Sequence, residues 1–214
     1  MSGLADTITG DFLVRLLTGM LVNLEIAGIS LAAGLVLGLP LALARLGGGV
    51  AGAGAASLIA LLRAAPTFVV MFFLLNAVPR DAAILGLDLS LSGIMVAALS
   101  LVPYSAAFVA DSGLEAMRQL RRRSPLGALL FLPNVSRAFF VLVMSSSAAA
   151  AVGVSEAISV ILRETERLPR FADRLVLFAT GIVCFGLVLQ TGFAAMRLLH
   201  RRLARSAASG RHRR

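Results

Sequence analysis

Between Met20 and Ala44 the chain runs for twenty-five residues with one ionisable side chain, Glu25, and is closed by Arg45. A helix needs about 20 residues to cross the roughly 30 Å hydrocarbon core of a bilayer, so this stretch is long enough to span. Composition rules out a soluble protein with one unusually greasy core helix. The chain is 58% apolar and 14% charged, whereas soluble domains carry about 25% charged residues. Further apolar runs predict an all-α integral membrane protein with about five transmembrane helices, at roughly 20–44, 58–78, 89–110, 135–152 and 174–199. They fill residues 1–214 as a single transmembrane domain. The opening residues lack the basic start and small-residue cleavage site of a secretory signal, so the first helix is expected to serve as its own insertion signal.

The intervening segments set the expected orientation. The second run carries Arg63 and Pro66 near its start, and Pro103 lies inside the third. Residues 111–133 form the longest inner loop, with Arg-rich Asp111–Ser124 followed by Pro125–Pro133, which is too short to cross and is expected at the membrane surface. With the N-terminus outside, fourteen of the twenty Arg fall on inner segments and six on outer ones. Basic residues favour the cytoplasmic side, which predicts N-out and C-in. The basic tail 200–214 then reads as a stop-transfer anchor held by anionic lipid rather than as a nucleic-acid arm.

Few side chains offer chemistry. A lone Cys184 excludes a disulfide framework, and two His near the C-terminus cannot assemble a metal site. Neither His is close in sequence to Ser145, Ser146 or Ser147, whose hydroxyls are expected to bond their own backbone or a neighbouring helix. Without Lys, no GxxxxGK phosphate loop exists. Glu25, the acid inside an apolar run, is either a proton or cation site or an interfacial residue. Gly34 and Gly38 form a GxxxG pair that permits close helix packing.

Four local patterns resemble the permease subunits of the polar amino acid ABC importers. These are Gly19-Met-Leu-Val-Asn-Leu-Glu25 with Leu35-Val-Leu-Gly-Leu-Pro-Leu-Ala-Leu-Ala-Arg45, Leu62-Arg-Ala-Ala-Pro-Thr-Phe-Val-Val-Met-Phe-Phe-Leu74, Pro103-Tyr-Ser-Ala-Ala107, and Ala151-Val-Gly-Val-Ser-Glu156. They occur in the family's order across nearly the whole chain. Asn23 stands where Thr is usual, Ala64 and Ala65 replace Gly and Thr, and the Glu of the third pattern is missing. In the inner loop, Glu115-Ala-Met117 and Phe131-Leu-Pro133 look like the ends of the family's E-A-A-x3-G-x9-I-x-L-P docking motif. Arg121 occupies its Gly position and the spacing is one residue short; in a second alignment about ten residues of the loop are deleted, with the motif's Glu among them.

The resemblance implies a bacterial inner-membrane, multi-pass permease subunit with no catalytic residues of its own. Its partners would be ATP-binding cassette ATPases that bind ATP and Mg, a second permease subunit and an extracytoplasmic amino-acid-binding protein. Glu115, Ala116, Met117, Gly127, Leu132 and Pro133 would couple to the ATPase. Glu25, Arg63, Tyr104, Ser145 and Ser146 are candidates for lining the path. The competing readings are a permease-derived scaffold without transport and an ion-coupled carrier centred on Glu25.

Overall fold

The computed structural model describes residues 10–77, 83–84, 87–88, 91–124 and 128–209. The described residues are mainly helical, with two short strands paired antiparallel. The elements in chain order are α1 (Gly10–Gly47), α2 (Gly49–Ala64), α3 (Thr67–Ala77), β1 (Ala83–Ile84), β2 (Leu87–Asp88), α4 (Gly93–Arg121), α5 (Phe131–Ser145), a 3-10 helix (Ser146–Val152), α6 (Ala157–Glu166) and α7 (Phe171–Ser209). Among the described residues, four helical stretches are long and apolar enough to cross a membrane: Asp11–Gly47, Gly93–Arg121, Phe131–Val152 and Phe171–Leu198. The bent pair α2 and α3 makes up to five. The protein is a multi-pass membrane protein, as its apolar runs predict.

The bundle is organised around α1 and α4, which run parallel and touch along most of their length. Lipid tails are as apolar as Leu, so helices associate in a membrane through close packing and interhelical hydrogen bonds. Glycine makes the close approach possible. A Cβ at Gly38 would lie 2.6 Å from the Ala106 carbonyl oxygen and 2.8 Å from Val109 Cβ, and one at Gly34 would collide with the Ser105 side chain. The GxxxG pair is therefore the α1–α4 contact itself. Near it, Ile26, Ala27, Ala97, Ala98, Leu101 and Leu142 form one core cluster. Phe12, Leu16, Met20, Ile161 and Leu177 form a second, where α1 meets α6 and α7. Elsewhere α7 is largely exposed along its apolar length.

Several expectations are corrected. The second crossing is not one straight helix, because α2 and α3 meet at 89°. Pro66 disfavours helical backbone in the preceding residue, and Ala65 is extended at φ −67°, ψ 115°. The third helix does not stop at Ala110 but runs to Arg121, taking up the first half of the expected loop. Leu114, Glu115, Ala116, Met117 and Gln119 are good helix formers, and Gly113 and Leu114 are buried, with Gly113 close to Leu39 and Ala42 of α1. Phe131–Pro133 forms the first turn of α5, a position where Pro lacks no needed N–H. The outer segment between the fourth and fifth crossings contains α6, and much of the basic tail 200–214 belongs to α7.

Candidate functional site

Two polar clusters lie at opposite ends of α1. Asn23 and Arg45 are twenty-two residues apart on this helix, which at about 1.5 Å per residue is about 33 Å. That is close to the thickness of the hydrocarbon core, so the two clusters are separated by about one core thickness.

The first cluster joins α1, the 3-10 helix and α6. Asn23, Ser146 and Glu156 are all buried. The Asn23 amide nitrogen donates to Ser146 Oγ at 2.8 Å and to Glu156 Oε2 at 3.1 Å, and Asn23 Oδ1 accepts from the Ala157 N–H at 3.3 Å. Ser146 donates in turn to the Val143 carbonyl at 2.7 Å. Glu156 is the N-cap of α6: Oε1 accepts from the Ser159 N–H at 2.8 Å and Oε2 from the Ile158 N–H at 2.9 Å. A helix N-terminus leaves N–H groups without intrahelical partners, and a carboxylate is well suited to satisfy them. Burial pushes the Glu156 carboxyl above its ordinary value, while the bonds from Ile158, Ser159 and Asn23 pull the other way. About two turns further along α6, Glu164 bridges Arg15 of α1 at 2.8 Å and Arg167 at 3.2 Å. A Cβ at Gly19 would lie 2.7 Å from the Ala157 nitrogen, so α6 rests directly on α1.

The second cluster joins α1, α2 and α4. Asp111 accepts from Arg45 at 2.9 Å through Oδ1 and from Arg63 through Oδ2. Beside this triad lies a cavity of about 350 Å³ lined by Arg63, Tyr104, Ala107, Phe108, Asp111 and Ser112. The groups are only partly buried: side-chain exposure is 33% for Arg45, 39% for Asp111 and 60% for Arg63. Of the path candidates, Arg63 and Tyr104 thus meet at one site, to which Asp111, unremarked in the sequence, is central. Ser146 belongs to the other cluster, and Ser145 is half-buried at the end of α5.

The sequence drew attention to Glu25, yet Glu25 is exposed on α1 and the buried acid is Glu156. Of the expected coupling residues, Glu115 is exposed and accepts a bond from Gln119 at 2.8 Å. Ala116 and Met117 are half-buried on α4, and Leu132 and Pro133 are half-buried at the start of α5; Gly127 lies outside the described residues. Another cavity of about 350 Å³, between α5, α6 and α7, is lined by apolar side chains with Ser147 as its polar member.

No family model and no curated protein match the chain. A solved structure does: the crystal structure of an amino acid ABC transporter with histidines, at 16% identity and a TM-score of 0.68. The match covers 91% of this chain and 100% of that one. At this identity the likeness establishes the fold alone, an all-helical membrane fold shared with that transporter chain.

Proposed function

We propose that the chain is a membrane-spanning permease subunit of an ATP-driven importer, forming with a second permease subunit the path for a polar amino acid or related small solute. The observation that carries this reading is the fold likeness, which extends over 91% of the chain and the whole of the matched transporter chain. The described cavity at Arg63 and Tyr104 supports it. ATP hydrolysis is assigned to a separate ATPase, solute delivery to an extracytoplasmic binding protein, and the setting to a bacterial inner membrane in the N-out, C-in orientation. The shortened loop, with Glu115 on its α4 side, is the proposed ATPase contact.

A scaffold without transport is the second reading. It is favoured by the unbroken course of α4 past Glu115 to Arg121, which leaves Glu115–Met117 within a long helix rather than in a separate docking helix. Affinity purification of the full chain from its native membrane in mild detergent separates the two. The importer reading expects a P-loop ATPase to co-purify and added binding protein to stimulate its ATP hydrolysis. Recovery without any ATPase would support the scaffold. An ion-coupled carrier is tested by Glu25→Gln, which is expected to leave uptake intact; abolished uptake with normal insertion would favour the carrier.

A further inference from the structure

Two glycines pin α7 to the rest of the bundle, and between them the helix stands away. A Cβ at Gly181 would collide with Ile161 of α6, and one at Gly192 would lie 2.6 Å from Phe140 Cζ of α5. At Gly186, midway along, a Cβ would meet nothing within 4 Å. The gap left there is the apolar cavity of about 350 Å³ between α5, α6 and α7, whose α7 wall runs from Phe178 to Leu189. At about 1.5 Å per residue that wall is about 16 Å long, close to half of the roughly 30 Å hydrocarbon core. The mean section is then only roughly 20 Å², far too narrow for a helix about 10 Å across. Left empty, such a gap forfeits the dispersion contacts of its walls.

The two ends of the gap differ in polarity. Arg174 is exposed and lies one turn before Phe178 on the same face of α7. Its Nε donates to the Leu168 carbonyl at 2.8 Å, across the α6–α7 turn, and its two terminal nitrogens have no partner among the described residues. Ser147 lies toward this end as well, because Phe140 meets Gly192 at the other end and Ser147 is seven residues further along the chain. The Ser147 hydroxyl also has no partner among the described residues.

We propose that this gap holds one acyl chain of an anionic phospholipid whose phosphate sits on Arg174. An acyl chain is slender, is present at this depth of a membrane, and covers Phe178, Ile182, Phe185 and Ile161 without asking any of them for a hydrogen bond. The free side of the Arg174 guanidinium offers a planar fork that fits phosphate oxygens. Basic groups beside pockets between membrane helices recognise lipid heads in this way. Ser147 Oγ is placed to donate to the ester carbonyl that joins the chain to glycerol. A lipid seated there wedges α7 against α5 and α6 where their own side chains do not meet. The site belongs to the membrane fold itself and is independent of the importer reading.

The test is native mass spectrometry of the purified full-length chain, released from detergent after incubation with palmitoyl-oleoyl phosphatidylglycerol or with the phosphatidylcholine of the same chains. One phosphatidylglycerol per chain should be retained, about fivefold more strongly than phosphatidylcholine, the factor expected for one Arg near an anionic head. Arg174→Gln should remove that preference and leave phosphatidylcholine binding unchanged. Gly186→Leu places a side chain in the gap, where its Cβ has free space, so the variant should fold and lose both lipids. In the parent chain, a phosphatidylglycerol carrying a diazirine in its acyl chain should cross-link to Met144 or within Phe178–Leu189, which needs no variant. The proposal is overturned if no lipid is retained, if the two lipids bind equally, if Gly186→Leu keeps phosphatidylglycerol, or if the cross-links fall elsewhere. A lipid-free parent dimer that Gly186→Leu separates would also overturn it, and would give the gap to a second copy of the chain.

Discussion

The two polar clusters of α1 use similar side chains to opposite ends. At Asn23, Ser146 and Glu156 every group is buried and hydrogen-bonded, Asn23 to the 3-10 helix and α6, and Glu156 both to Asn23 and to the first N–H groups of its own helix. At Arg45, Arg63 and Asp111 the groups are partly exposed, the charges do not balance, and a cavity lies alongside. A buried network is expensive to break because each orphaned group keeps its full desolvation penalty. An exposed ion pair can exchange partners with water or solute at little cost. The first cluster therefore fastens α6 to α1, and the second is the end suited to movement.

The strongest way to break this contrast is Glu156→Ala. It removes the α6 cap and leaves the Asn23 amide short of a partner, and is expected to destabilise the protein by about 2–4 kcal/mol. Thermal unfolding in detergent would read this as a large drop in midpoint. At the other end, Arg63→Gln should lower stability by about 1 kcal/mol or less, as for exposed ion pairs. Equal losses at the two ends would remove the distinction between them.

A smaller effect comes from protonation. Burial holds the Glu156 carboxyl above its ordinary value of 4.5, so between the two values the folded state binds more protons than the unfolded one. Stability from this group is fully present below 4.5 and is lost as pH rises through the raised value. Unfolding midpoints should decline over that range in the parent and flatten in Glu156→Gln. A parent whose stability rises with pH, by more than the variant's, would contradict the assignment.

Much of the fold was legible because membrane spans are written in local composition. The runs at 20–44, 135–152 and 174–199 lie within helical stretches, and the Gly34–Gly38 spacing marked a real contact. The clusters were harder to read. Asp111 meets Arg45 and Arg63 across 66 and 48 residues, and no local pattern reports a contact at such separation. Glu156 opens a segment rich in Arg and Glu, which composition reads as a solvated loop. Its burial depends on Ala157, Ile161 and Glu164 facing α1 and α7, as one side of a helix only ten residues long. Asn23 was noted merely as a departure from Thr, although an amide has two N–H donors where a hydroxyl has one, and both are used here. The α2–α3 bend was half legible, since Pro66 marks the break without giving its angle.

The central claim is that the asparagine end of α1 is fastened and the arginine end is free to rearrange. Spin labels test it most directly, with Cys184 replaced and the chain assembled with its ATPase. One pair, at Leu21 and Ala151, reports on the fastened end; the other, at Leu61 and Leu120, reports across α2 and α4 beside the cavity. All four positions are exposed. Distances are measured by electron paramagnetic resonance without nucleotide and with ATP trapped. The account expects one unchanged distance for the first pair and a shifted distribution for the second; a shift in the first pair with none in the second would contradict it.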